Sequence, residues 1–300
     1  MKTPKLLKIS CTQHERSGYG KDDITVRKYL ETNVYYNEKG KAVKEEHFLP
    51  TGELETILVN EYDNKELLTT AKQFDEENIL LHQVDFIYND YQNIARQNHY
   101  FGNESTKHSI VFVYENGRLM REDIYEGDTL ISTEKEYHYD DCENLIKSIE
   151  YDEDKNKKTV VINEYNEKNF VVKRVRDEVL EKDKRIYYFE YDDEGNKIKD
   201  LIYDYEDILI SKTLYTYNEK KQLLEKEEED LDRYLKTVNT FIEDQIVKSE
   251  VLGKEGELVS WMELTYDDDN LVVSQRYFAR DETDSNEFRI IVEYGYEREY

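Results

Sequence analysis

Tyr191-Asp192-Asp193-Glu194-Gly195-Asn196-Lys197-Ile198-Lys199 joins an aromatic residue, a polar turn and the start of a fresh apolar–polar alternation. Glycine and asparagine in its middle tolerate the left-handed backbone that tight hairpin turns demand. Versions of it recur along the whole chain. Aligned on the opening aromatic, they fall at Tyr36, Tyr62, Tyr88, Tyr114, Tyr139, Tyr165, Tyr191, Tyr217, Phe241 and Tyr266, in steps of 24 to 26 residues. A fixed period of this size marks a repeat architecture and takes precedence over element-by-element assignment.

A second aromatic series lies half a period away, at Phe48, Phe74, Tyr100, Tyr125, Tyr151, Tyr203 and Tyr277, with Asp177 where one further aromatic would fall. Each unit therefore holds two turns and two connecting segments. The segments alternate with period two, as strands do: Ile110, Phe112 and Tyr114 share a face, as do Tyr187, Phe189 and Tyr191. Alternate positions are mixed, with Glu136, His138, Glu190 and Glu263 among them. One face is expected to be fairly apolar and the other amphipathic. Short turns make consecutive strands antiparallel neighbours, and only two prolines interrupt the ladder.

The expected fold is all-β: an antiparallel meander of about twenty strands built from ~26-residue two-strand repeats. Open sheets seldom exceed ~10 strands without curling, so a curved ribbon, a superhelix and a shell all satisfy the pattern. Residues 24–300 read as a single continuous β-repeat domain, because an array stabilised unit against neighbour has no internal boundary. Residues 1–23 read as a non-repeat N-terminal segment.

That segment starts basic and contains the step Ser10-Cys11, but its apolar residues Leu6, Leu7 and Ile9 are split by Lys8. A secretory core needs about 7–15 apolar residues, and no stretch approaches the ~20 of a membrane-spanning helix. Cys11 and Cys142 follow no ligand spacing. Two unpaired thiols suit a reducing compartment, so a cytoplasmic location is expected. Cys142 falls in the turn Tyr139–Asn144 and is expected to be exposed.

The net charge of −27 argues against nucleic acid and against anionic membrane surfaces, both of which attract Lys and Arg. It would steer a basic partner toward the chain. The densest acidic run is Glu225-Lys226-Glu227-Glu228-Glu229-Asp230-Leu231-Asp232. It reads either as a solvated insertion or bulged hairpin, or as a docking patch in which Glu225, Glu227, Glu228, Glu229, Asp230 and Asp232 meet a basic protein. The 27 tyrosines are expected to line core rows and turn rims, each burying its ring while its hydroxyl reaches water. Trp261, next to Met262 on the apolar face, should point to the opposite, exposed side, where it could stack on a partner or a sugar.

Catalysis needs a nucleophile, a base and an orienting group brought together. The six histidines are scattered and share no repeat position, and no hydrolase, zinc-protease, P-loop or dinucleotide motif occurs. The reading is of a non-enzyme without cofactors. Asp152, Asp154 and Asn156 have the spacing that opens a calcium loop. However, Lys157 stands where such a loop needs glycine, and Asn163 where it needs a bidentate glutamate. They are weak metal candidates beside the reading as acidic turn residues.

The Tyr-Asp-Asp-Glu-Gly-Asn-Lys-Ile series resembles the YD repeats of the RHS family and is similar to the MORN-variant repeats of small bacterial proteins associated with toxin–antitoxin systems. Tyr191–Lys199 carries the resemblance best, with Tyr36-Asn37-Glu38-Lys39-Gly40-Lys41 and Tyr114-Glu115-Asn116-Gly117-Arg118-Leu119 as fair versions. It extends over roughly residues 30–280. In RHS proteins such repeats build a β-sheet shell around a toxic C-terminal domain. This chain is short and glycine-poor, so the resemblance implies a bacterial β-repeat scaffold from a toxin or secretion-system setting rather than a cage. The leading expectation is a protein-binding scaffold, most concretely an immunity or antitoxin-like protein that neutralises or carries a basic effector. An exported or surface-anchored protein binding glycans through exposed aromatics is the second reading, and a calcium-stabilised structural array the third.

Overall fold

Alternating side chains separated by Asx-rich turns produce strands and hairpins throughout the computed structural model, which describes residues 4–16, 24–102, 108–231, 233–268, 270, 272–280 and 288–300. Twenty-two strands form a meander, without a helix among the described residues, and every described pairing is antiparallel. The chain divides into two compact units, Met1–Gln83 with Leu235–Tyr300, and Val84–Tyr234.

The first unit contains β1 (Leu6–Arg16), β2 (Ile24–Tyr36), β3 (Ala42–Phe48), β4 (Leu54–Tyr62) and β5 (Leu68–Phe74). Strand β6 (Leu80–Tyr88) runs across the boundary in sequence. The second unit continues with β7 (Ile94–Phe101), β8 (His108–Glu115), β9 (Arg118–Glu126), β10 (Thr129–Tyr139), β11 (Leu145–Tyr151), β12 (Lys157–Tyr165), β13 (Val171–Glu178), β14 (Asp183–Tyr191), β15 (Lys197–Tyr203), β16 (Leu209–Tyr217) and β17 (Leu223–Asp230). The first unit resumes with β18 (Tyr234–Ile242), β19 (Gln245–Leu252), β20 (Leu258–Tyr266), β21 (Val272–Arg280) and β22 (Phe288–Glu299). In the second unit β7 to β17 pair in strict chain order.

The first unit holds the departure from a simple meander. Strand β1 pairs with β2 on one side and with β22 on the other, from Leu6 opposite Glu299 to Glu15 opposite Ile290. The first and last strands therefore close on one another. The free terminal edges that an open ribbon or a superhelix was expected to have are thus not found at β1 and β22. It also turns part of the repeat-free segment 1–23 into a paired strand. A bulge between Ile9 and Ser10 admits the extra residue Glu31 on β2.

Most of the turns that follow the first aromatic series share one design, those after Tyr114 and Phe241 being two-residue hairpins instead. At Asp192 the backbone N–H donates to the Asn196 carbonyl at 2.9 Å, and the Gly195 N–H donates back to the Asp192 carbonyl at 3.2 Å. The Asp192 Oδ1 accepts from the N–H groups of Glu194 and Asn196 at 3.0 and 2.8 Å. Asn37, Asp63, Asn89, Asn166 and Asn218 repeat this double acceptance. The left-handed position is Gly195 in this turn, but Glu66, Gln92, Asn169 and Lys221 hold it elsewhere. A non-glycine residue there costs roughly 1–2 kcal/mol, which the side-chain cap offsets.

Register slips by one residue as each strand reaches its turn tyrosine, for example at Tyr62, Tyr165, Tyr191 and Tyr217. There the hydroxyl does not reach for water. Tyr62, Tyr114, Tyr139, Tyr165, Tyr191, Tyr217 and Tyr266 each donate to the main-chain carbonyl twenty residues earlier, at 2.8 to 3.0 Å. Each bond ties the end of one strand to the start of the strand before it. Burial pushes the phenols of Tyr62, Tyr114, Tyr139, Tyr191 and Tyr217 up from their ordinary value.

The faces are less one-sided than expected. On β12, Thr159 and Asn163 are buried while Ile162 on the other face is exposed. Among the described residues the buried apolar side chains are Cys11, Val34, Ile57, Ile149 and Val292. Half-burial over the hairpin array is the rule, and hydrogen bonds hold much of what the core does not.

Candidate protein-docking surface

Glu225-Lys226-Glu227-Glu228-Glu229-Asp230 is not an insertion or a bulged hairpin. It is strand β17, in unbroken register with β16 from Ser211 opposite Asp230 to Thr216 opposite Glu225. Alternation makes this tolerable. Glu225, Glu227 and Glu229 lie on one face opposite Thr216, Leu214 and Lys212, while Lys226 and Glu228 lie on the other opposite Tyr215 and Thr213. Like charges on one face are thus about 7 Å apart along the strand. Lys226 and Glu228 pair at 2.8 Å. Glu225, Glu227 and Glu228 are half-buried; Glu229 and Asp230 are exposed. Asp232 lies outside the described residues.

The Tyr215 face of β16 adds a half-buried carboxylate. Asp200 Oδ2 accepts from Tyr215 Oη and from Lys197 Nζ, both at 2.7 Å. The Lys197 ammonium also stands 4.8 Å from the centre of the Tyr215 ring. Burial, then the hydrogen bond to Asp200, then the charges of Asp200 and Glu228 push the Tyr215 phenol strongly up. Beside it, Asp192, Glu194, Asn196, Tyr217, Glu219 and Lys221 line a shallow depression of about 420 Å³. The two sides of this sheet end therefore both present carboxylates to an approaching group.

Trp261 belongs to the first unit, on β20, and the acidic strand to the second. Its indole is half-buried rather than turned to solvent. The Arg276 guanidinium lies 5.7 Å from its ring centre, anchored to Glu293 at 2.9 Å. A cation–π contact from the neighbouring strand thus occupies one face of the ring that was expected to be free.

Asp152, Asp154 and Asn156 form an Asx turn between β11 and β12. Asp152 Oδ1 accepts from the Asn156 N–H at 2.7 Å and Oδ2 from the Asn156 side chain at 3.1 Å. Both carboxylate oxygens are thus engaged with the turn itself. No cluster of three acidic, histidine or cysteine ligands occurs among the described residues. Cys142 is exposed, as its turn position suggested, and Cys11 is buried.

Two polar clusters carried no sequence signal. Cys11 sits on β1 facing Tyr29, and burial pushes its thiol up, while its hydrogen bond with Tyr29 pushes that phenol up to about 12. Asp123, 1% exposed, accepts from Arg121 Nε at 2.7 Å and from Thr133 Oγ1 at 2.8 Å. Neither holds a nucleophile beside a base, and both read as satisfied buried polar groups.

A family model described as an uncharacterised protein matches residues 164–287. No curated protein matches the chain. Among solved structures, the chain is similar to one in the crystal structure of TcdB2-TccC3-Cdc42, with 11% identity over 83% of this chain and 15% of that one, at a TM-score of 0.38. It thus spans about 15% of that chain's length. It is also similar to a porin-like protein from Bacteroides uniformis, with 10% identity over 97% of both chains and a TM-score of 0.35. A porin-like protein from Bacteroides vulgatus shows 12% identity over 71% of this chain and 94% of that one, with a TM-score of 0.26.

Proposed function

We propose that this chain is a non-enzymatic β-repeat scaffold of the cytoplasm that binds a protein with a basic surface. Its most concrete form is an immunity or antitoxin-like protein that neutralises or carries a basic effector, as the resemblance to YD and MORN-variant repeats implies. The observation that carries this reading is β17, where a carboxylate ladder is built into a regular strand instead of being shed into a loop. Holding half-buried carboxylates in register on a chain of net charge −27 works against stability through self-repulsion, and a cationic partner relieves it.

Charged groups on both faces of the second unit speak against lipid contact. Lys173 pairs with Glu164 at 2.9 Å and Lys199 with Glu190 at 2.7 Å on one face, while Lys197, Asp200 and Tyr215 occupy the other. A bilayer-spanning barrel needs an apolar outward band. Glycan stacking is weakened as an alternative by the Arg276 cover on Trp261.

The test is affinity capture from the native host on the immobilised chain at low and at high salt, with mass spectrometry of what is retained. A basic protein held at low salt and released at high salt is expected. Recovery of no protein at low salt would overturn the proposal.

A further inference from the structure

The hairpins of the second unit turn alternately at two ends of the sheet, and the two ends differ. At the end carrying the turn tyrosines, Tyr91 is 81% exposed, but Phe170 stacks on Tyr191 with ring centres 4.9 Å apart and the turn-tyrosine hydroxyls donate to backbone carbonyls. At the other end apolar turn residues are exposed. Nine of the thirteen strongly exposed large apolar side chains among this unit's described residues lie in, or within three residues of, the turns at that end. Leu180 is 52% exposed, Ile208 50% and Leu231 72%. Leu130 and Ile131, with Tyr151, Glu136 and Lys155, line a depression of about 290 Å³ at the same end. Scattered apolar residues need no explanation, but a file of them along one end does.

Carboxylates flank this file. Exposed ones are Glu181 after Leu180, Asp207 before Ile208 and Glu229 two residues before Leu231, whereas Glu178 is held by Thr159 and Arg176, Asp204 caps its own turn and Asp230 binds Arg233. Successive hairpins at one end are two strand spacings apart, about 9.5 Å. Apolar side chains seven residues apart on a helix are about 10.5 Å apart.

We propose that this end of the second unit, with Leu180, Ile208 and Leu231 as its apolar anchors, docks a cationic amphipathic helix of the partner protein. The anchors take the helix's apolar residues at seven-residue spacing, and the flanking carboxylates take its lysines and arginines. This rests on the reading of the chain as a binder of basic proteins and assigns that binding a surface.

The probe is a short fluorescein-labelled Leu/Lys peptide with apolar residues at helical spacing, compared by anisotropy with a Lys/Ser peptide of equal charge. The proteins are the wild type, the triple variant L180S/I208S/L231S and the control I162S, an exposed mid-strand change, with circular dichroism confirming that each is folded. We expect the Leu/Lys peptide to bind the wild type and the control alike and the triple variant at least about tenfold more weakly, with the Lys/Ser peptide also weak. Equal binding to wild type and triple variant overturns the assignment of this surface while leaving the electrostatic reading in place. Equal binding of both peptides overturns the apolar anchors in the same way. Failure of both peptides counts against both readings. Self-association, or binding to phosphatidylcholine vesicles, that is lost in the triple variant would assign the end to a second copy or to lipid and overturn the proposal.

Discussion

Tyr191 closes its turn with two interactions at once. Its ring lies on Phe170, and its hydroxyl donates to the Val171 carbonyl at 2.9 Å. Removing that hydroxyl leaves a half-buried carbonyl to find another donor, a loss of about 1 kcal/mol. Gly195, at φ 87°, completes the arrangement, and a Cβ there would stand 2.7 Å from Phe170 Cζ. We therefore expect Tyr191→Phe to cost about 1 kcal/mol and Gly195→Ala roughly 2 kcal/mol or more, since backbone strain of ~1–2 kcal/mol adds to a displaced ring. Denaturant melts of both variants check this order. Gly195→Ala melting like the wild type would show that the ring moves aside freely. The tyrosine period was legible in the sequence, but the hydroxyl's partner was not. A carbonyl twenty residues back comes within reach only once the register slip at the turn is known.

At the scale of elements, strands and turns were readable wherever an aromatic preceded an Asx residue. β17 was hidden because its charge masks the alternation that makes it a strand. β1 was hidden because no Tyr-Asx turn introduces it and its partners lie at opposite ends of the chain. Trp261 lies on the face opposite Met262 as the alternation indicates, but its half-burial was not readable, because Arg276, which covers it, comes from the neighbouring strand β21. The turns themselves carry a pH dependence. Hydrogen bonds from Asn144, Asn156 and Asn196, with nearby backbone N–H groups, hold the carboxyls of Asp140, Asp152 and Asp192 below the usual range. Their folded values lie below the unfolded ones. The stability they contribute is therefore full above the ordinary aspartate value of about 3.9 and is lost as pH falls through the depressed values. Asn already fills this role at positions 37, 166 and 218. The triple variant D140N/D152N/D192N should melt near the wild type at neutral pH and lose less on acidification below about pH 4. Identical acid sensitivity would show that the caps do not depend on charge.

On a larger scale, the β1–β22 ladder joins residues nearly three hundred positions apart, and with β2 and β21 on their other sides neither of these two strands offers a free edge for indiscriminate pairing. The proposed recognition would then fall to side chains, and on a chain of net charge −27 the strand that concentrates carboxylates is β17. Long-range attraction of this kind accelerates encounter and fades with salt, since the screening length shrinks from about 10 Å at 0.1 M to about 3 Å at 1 M. The measurement that tests this most directly is parallel capture from the native host on wild-type chain and on folded E225K/E227K/E229K. The wild type should retain a basic protein in a salt-sensitive way, and charge reversal should abolish its retention. Equal retention of the same protein by both chains would contradict the proposed recognition.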